Sequence, residues 1–129
     1  MMPTATLLWA GLLGLLHLVL TVRVLGGRYR TGTGIGDGGD PMLARAIRVH
    51  ANFAEYVPLI LVLLALLEAA GWSRALIHGM GAALLAARIA HALGLWRANG
   101  RTIGRAAGFS ATFLILLAVS VLAIATALG

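Results

Sequence analysis

The chain has 129 residues, with ten Arg, no Lys, four acids, four His and no Cys, and a net charge of +6. It is 60% apolar and only 11% charged, against about 45–50% and about 25% in a typical soluble domain. These proportions exclude both an ordinary soluble domain and a disordered chain, and the length allows a single domain, 1–129.

The first apolar run, Thr4 to Val22, has His17 as its only titratable group. No basic residue precedes it, it is long, and no small-residue cleavage site follows, so it is read as a span rather than a signal peptide. A glycine-rich loop, 26–40, comes next, with seven Gly. It lacks the Gly-Lys-Ser/Thr ending of a phosphate loop and the recurrence of a calcium-binding repeat. It therefore reads as a mobile connection, with Asp40-Pro41 capping the next helix. That helix is charge-free from Tyr56 to Leu67. The third run, Ala75 to Trp96, carries Arg88 as its only charge, with His78 and His91. The fourth, Ala106 to Gly129, has none over 24 residues. About 20 residues cross a bilayer, and 24 reach roughly 36 Å. The pattern predicts an all-α integral membrane protein, a bundle of four transmembrane helices near 4–25, 42–70, 74–96 and 105–127.

Charge placement sets the expected topology. Arg23, Arg28, Arg30, Arg45 and Arg48 flank the first loop, and Arg97, Arg101 and Arg105 flank the third. The second loop has Arg74 alone. Basic loops stay cytoplasmic, so the first and third loops are placed inside and both termini outside. The two short basic stretches form no continuous basic face, which argues against nucleic acid. With no Cys there is no disulfide framework, thiolate metal site or cysteine nucleophile. No metal site is expected, and any thiol must arrive with a substrate.

The informative residues are polar ones within the spans, where a charge costs about 2.5–3.5 kcal/mol. Arg45, Arg48, Asn52, Glu55 and Tyr56 fall within a sector of roughly 100° on the second helix. Pro58 then removes a backbone hydrogen bond and loosens the helix just past Glu55. The third helix adds Arg88 and His91, one turn apart, and the fourth begins Arg101-Thr-Ile-Gly-Arg105. Plainer readings exist for each. Glu55 can pair with Arg88, Asn52 can tie two helices together, and Arg45 and Arg48 can snorkel to headgroups. His17, His50 and His78 read as packed residues, Glu68 as an outer-surface residue, and Trp9, Trp72 and Trp96 as interface anchors. Against these stands the number of polar groups on one face. Arg binds carboxylates bidentately, and Glu among them selects an amine. Such a face suits a zwitterionic molecule with several carboxylates, and the apolar surface beside it suits a lipophilic second substrate.

The segment Arg45-Ala-Ile-Arg48-Val-His50-Ala-Asn52-Phe-Ala-Glu55-Tyr56-Val-Pro58 resembles the signature of the MAPEG family, the membrane-associated proteins in eicosanoid and glutathione metabolism. Ala87-Arg88-Ile-Ala-His91-Ala-Leu-Gly94 resembles that family's third helix. Gly36-Asp37-Gly38-Gly39 and the stretch from Arg105 to Thr112 resemble its short bacterial branch. The resemblance implies a homotrimer in a bacterial inner membrane, surrounded by lipid, with glutathione as co-substrate between protomers on the cytoplasmic side. Arg48, Asn52, Glu55 and Tyr56 would hold the tripeptide, with Arg48 on a carboxylate and Glu55 on the γ-glutamyl amine. Arg45, Arg88 and His91 would complete the site, Arg28 or Arg30 would reach in from a neighbour, and Arg105 would be catalytic. The implied activity is a glutathione-dependent transferase or peroxidase acting on a lipophilic small molecule. His91 and Leu95 stand where the conjugating members have tyrosines. The alternative is a non-catalytic lipid- or protein-binding member of the same fold. A small multidrug transporter would need an acid in the first helix, which has only His17.

Overall fold

The computed structural model describes residues 2–97 and 102–129. Four helices follow in order: α1 Thr4–Thr31, α2 Pro41–Ala69, α3 Arg74–Arg97 and α4 Ile103–Leu128. Each is long and apolar enough to span a bilayer. Arg101 lies outside the described residues, as do the side chains of Leu95 and Arg97.

Three starts and stops follow local chemistry. Asp40 caps α2 by accepting from the Leu43 amide at 2.7 Å, with Pro41 at the first helical position, where its missing N–H costs nothing. Thr102 caps α4 by accepting from the Arg105 amide. α1 runs six residues past its expected end at 25, through Gly26 and Gly27 to Thr31. The Gly pair does not break it, because Gly27 lies against Leu43 of α2, where a Cβ would meet Leu43 Cδ1 at 2.9 Å. The helix stops at Gly32, whose left-handed backbone (φ 67°) turns its N–H back to Arg28 O. The glycine-rich loop therefore spans 32–40.

α2 and α3 are the central pair. Each touches all three other helices, whereas α1 and α4 do not touch among the described residues. Leu13, Val49, Val57, Ile60, Leu64, Ile77, Leu84 and Val119 are fully buried between them. Large apolar side chains such as Leu18, Val22, Val62, Leu66, Phe113 and Val121 face outward. In water that exterior would aggregate; in a bilayer, lipid is the solvent.

One expectation is corrected here. Glu68, read from the sequence as an outer-surface residue, is 4% exposed. Its carboxylate accepts from the Ala5 amide (2.9 Å), the Thr6 amide (2.8 Å) and the Thr6 hydroxyl (2.7 Å). α1 begins after Pro3, which has no side-chain cap to offer, so its first-turn amides need a remote acceptor, and an anion there also suits the helix dipole. Nearby, Arg74 donates to Thr4 Oγ1, Trp9 Nε1 to His78 Nδ1 and Trp72 Nε1 to Thr126 Oγ1. Two of the tryptophans read as interface anchors thus also make internal ties, Trp9 between α1 and α3 and Trp72 between the α2–α3 connection and α4. Replacing Glu68 by Ala leaves two buried amides and a hydroxyl unpaired. It is expected to lower stability by about 1–3 kcal/mol, seen as a lower melting temperature in detergent and faster hydrogen exchange at Ala5 and Thr6.

Candidate functional site

At the end of the bundle bearing the 32–40 loop, a cavity of about 360 Å³ opens between α2, α3 and α4. Arg48, Asn52, His91, Thr102, Arg105, Ala106 and Phe109 line it. It thus collects residues from three helices that the sequence singled out separately: Arg48 and Asn52, His91, and Arg105.

Behind this wall lies Arg88, 1% exposed. Its Nη1 donates to Asn52 Oδ1 at 2.9 Å, and its Nη2 lies 3.4 Å from His91 Nδ1. The guanidinium carbon sits 5.6 Å from the centre of the Phe53 ring. Its Nε has no hydrogen-bond partner among the described residues. The plainer reading, a Glu55–Arg88 pair, is not what forms. Glu55 instead accepts from Arg48 Nη1 at 3.3 Å, two turns earlier on the same face, and both side chains are about half exposed. Tyr56 packs edge-on against Phe109, ring centres 5.8 Å apart. Glu55, Tyr56 and Arg88 therefore border the cavity through Arg48, Phe109 and the Asn52–His91 pair without lining it.

Three other arginines are occupied elsewhere. Arg28 donates to the carbonyls of Thr33, Gly34 and Gly36 and so shapes the loop. Arg30 makes a two-pronged bond to Asp40, at 3.0 and 2.8 Å. Arg45 donates Nε to Pro41 O in its own helix. In the single chain, none of the three lines the cavity.

Thr102, Ala106 and Phe109 were not anticipated. A Thr ahead of an apolar run is an N-cap signal, and Phe109 follows Arg105 by one turn, so both were readable. The close approach of α3 and α4 was less so. A Cβ on Gly94 would run into Arg105 N, and one on Gly108 would meet Ala87 O, His91 N and His91 Cβ at 2.5, 2.6 and 2.8 Å. Thr102 Oγ1 also donates to Gly94 O at 2.9 Å. These contacts hold the start of α4, and Arg105 with it, against the His91 turn of α3.

Fold and site together define a multi-pass, four-helix membrane protein with an arginine-lined cavity at one end. The MAPEG family model matches residues 6–125. The chain is also 36% identical over 110 residues to the inner membrane protein YecN of Escherichia coli K12, covering 85% of this chain and 82% of that protein. The YecN of Escherichia coli O6:H1 matches to the same extent. The chain belongs to the MAPEG family, and it is an integral membrane protein, in keeping with the inner-membrane location in its relatives' name.

Two outcomes follow from this geometry. Gly108→Ala forces α3 and α4 apart at three points and should cost about 1–3 kcal/mol. Gly104→Ala, where the nearest atom is Ala90 O at 3.2 Å, should cost clearly less in the same thermal melts. At the loop, the hydrogen bonds from Arg30, then that from the Leu43 amide, hold the Asp40 carboxyl down to about 2 from an ordinary 3.8. A depressed carboxylate stabilises the fold above its unfolded value and loses that contribution as pH falls through the folded one. The Asp40 carboxyl carbon should therefore titrate by NMR near pH 2, and Arg30→Gln should move that midpoint upward.

Proposed function

We propose that the protein is a glutathione-dependent transferase or peroxidase, working as a homotrimer with the 32–40 loop and the α3–α4 connection on the cytoplasmic side. The observation that carries this reading is the single cavity joining Arg48, Asn52, His91 and Arg105. Its residue types suit the tripeptide. The half-exposed Arg48–Glu55 pair presents a cation and an anion side by side, and a γ-glutamyl group can exchange into that pair with its carboxylate on Arg48 and its amine on Glu55. Exposed ion pairs are worth at most about 1 kcal/mol, so the exchange costs little. Both residues face outward from the bundle beside the cavity, as a site completed by a neighbouring protomer requires.

When bound, glutathione would supply a thiol, with an ordinary pKa of about 8.5. Arg105, on the cavity wall, would favour its anion and hold it in place. The lipophilic partner has a route in from lipid, since Phe109 and Phe113 are exposed on the outer side of α4.

The test begins with thermal melts of the detergent-purified protein, with glutathione or with ophthalmic acid, the same tripeptide shape without the thiol. At about 100 times its dissociation constant, either ligand should stabilise the protein by about 2.7 kcal/mol, and Glu55→Gln should remove the shift. Arg105→Ala should keep the shift and the trimer while turnover of a lipophilic electrophile or hydroperoxide falls by roughly 10²–10³. Tripeptide-induced stabilisation with no turnover in the parent protein would favour the non-catalytic alternative.

A further inference from the structure

Arginine carries hydrogen-bond donors and no acceptor. Whatever bonds to Arg88 must therefore accept. On Asn52 that is Oδ1, at 2.9 Å, which leaves the Asn52 NH₂ as the end free to act on the cavity. On His91 it is Nδ1, at 3.4 Å, which places the ring hydrogen on Nε2. Both side chains line the cavity, and Arg88 does not. The Thr102 hydroxyl gives its hydrogen to Gly94 O and accepts from the Arg105 amide, so it is engaged on both counts within the start of α4. The other polar lining groups, Arg48 and Arg105, are donors by nature.

We propose that Arg88 is a positioning residue that polarises the site. By taking the acceptor atoms of Asn52 and His91, it converts two ambivalent side chains into donors. The cavity wall then offers guanidinium, amide and imidazole N–H groups to whatever enters, and no carboxylate lines it among the described residues. Such a wall recognises acceptor-rich anionic groups: a carboxylate, a thiolate, or the oxygen of a peroxide. His91 is thereby a hydrogen-bond donor and not a general base. A thiol bound here gives its proton to water, the sulfur keeps the electron pair, and His91 keeps its hydrogen throughout. The identity of the anionic ligand as glutathione rests on the function proposed above; the polarisation by Arg88 does not.

Asn52→Asp separates this role from a merely structural one. Aspartate keeps the bond to Arg88 and gives a buried cation a carboxylate partner, so the variant should melt at or above the parent temperature. It also turns a donor facing the cavity into an anionic oxygen. Affinity for S-hexyl glutathione should then fall by at least about tenfold. Unchanged affinity in a folded Asn52→Asp protein overturns the proposal. A second measurement needs no ligand. ¹⁵N-histidine NMR of the parent protein at neutral pH, assigned with His91→Asn, should show His91 as the Nε2–H tautomer. Arg88→Gln should shift it towards a mixture of tautomers. A parent His91 carrying its hydrogen on Nδ1 overturns the proposal, whether or not Asn52→Asp folds. If the parent binds no tripeptide but the Nε2–H tautomer is found, the glutathione reading fails and the polarising role of Arg88 stands.

Discussion

A guanidinium buried inside an apolar helix bundle is cut off from bulk water, so the protein must solvate it. Arg88 meets that demand with Asn52 Oδ1, His91 Nδ1 and the face of Phe53. Asn52 and Phe53 are on α2, whereas Arg88 and His91 are on α3. The cost of burying the charge therefore fixes how the two central helices meet. Apolar surfaces alone are permissive about sliding and rotation, since lipid tails match leucine as partners. A buried cation is not permissive, because each wrong register leaves it unsolvated. α4 inherits this placement, since Gly108 allows it to lie directly on the His91 turn, and Arg105 is carried in on its first turn.

The two ends of the bundle handle polarity in opposite ways. Around Glu68, donors and acceptors are matched: two amides and a hydroxyl on one carboxylate, with Arg74 on Thr4, Trp9 on His78 and Trp72 on Thr126. Such an end resists change and has little left to offer a ligand. The opposite end concentrates positive charge with few acids to meet it. Asp40 is committed to Arg30 and to the first turn of α2. Glu55 meets Arg48 through a single long bond near solvent. Functional sites are commonly less well satisfied than the frame around them, and here that contrast runs along the axis of one small bundle.

The spans were legible because hydropathy acts locally, and so was the polar face of α2, because residues three, four and seven apart share a side of any helix. What the sequence hid were choices made between helices. Glu68 looks like a surface acid at the end of an apolar run; only the distant first turn of α1, in need of an acceptor, makes it a buried cap. Whether Glu55 would pair with Arg88 or Arg48 depended on the rotation of α3 against α2, which no single-helix pattern encodes. The length of α1 was underestimated because two consecutive Gly read as a break, whereas a contact with Leu43 favours the helix there. The tight seam between α3 and α4 is written in Gly94, Gly104 and Gly108, but its meaning requires knowing that Gly94 faces Gly104 and that Gly108 lies on Ala87 and His91.

The absence of a carboxylate bonded to Arg88 among the described residues bears on what the cavity can bind. A carboxylate at position 52 would set an opposite charge against the buried cation across the α2–α3 contact. Asn at position 52 does not. A neutral amide passes the positive potential of Arg88 on to the cavity, where a carboxylate would cancel it. A charge buried in a low-dielectric interior is screened less than one in water, so a guanidinium one side chain behind the wall still acts on a ligand in front of it. In the proposed role of Arg88, it is therefore the asparagine, rather than any of the arginines, that leaves the positive charge free to act on an anionic ligand.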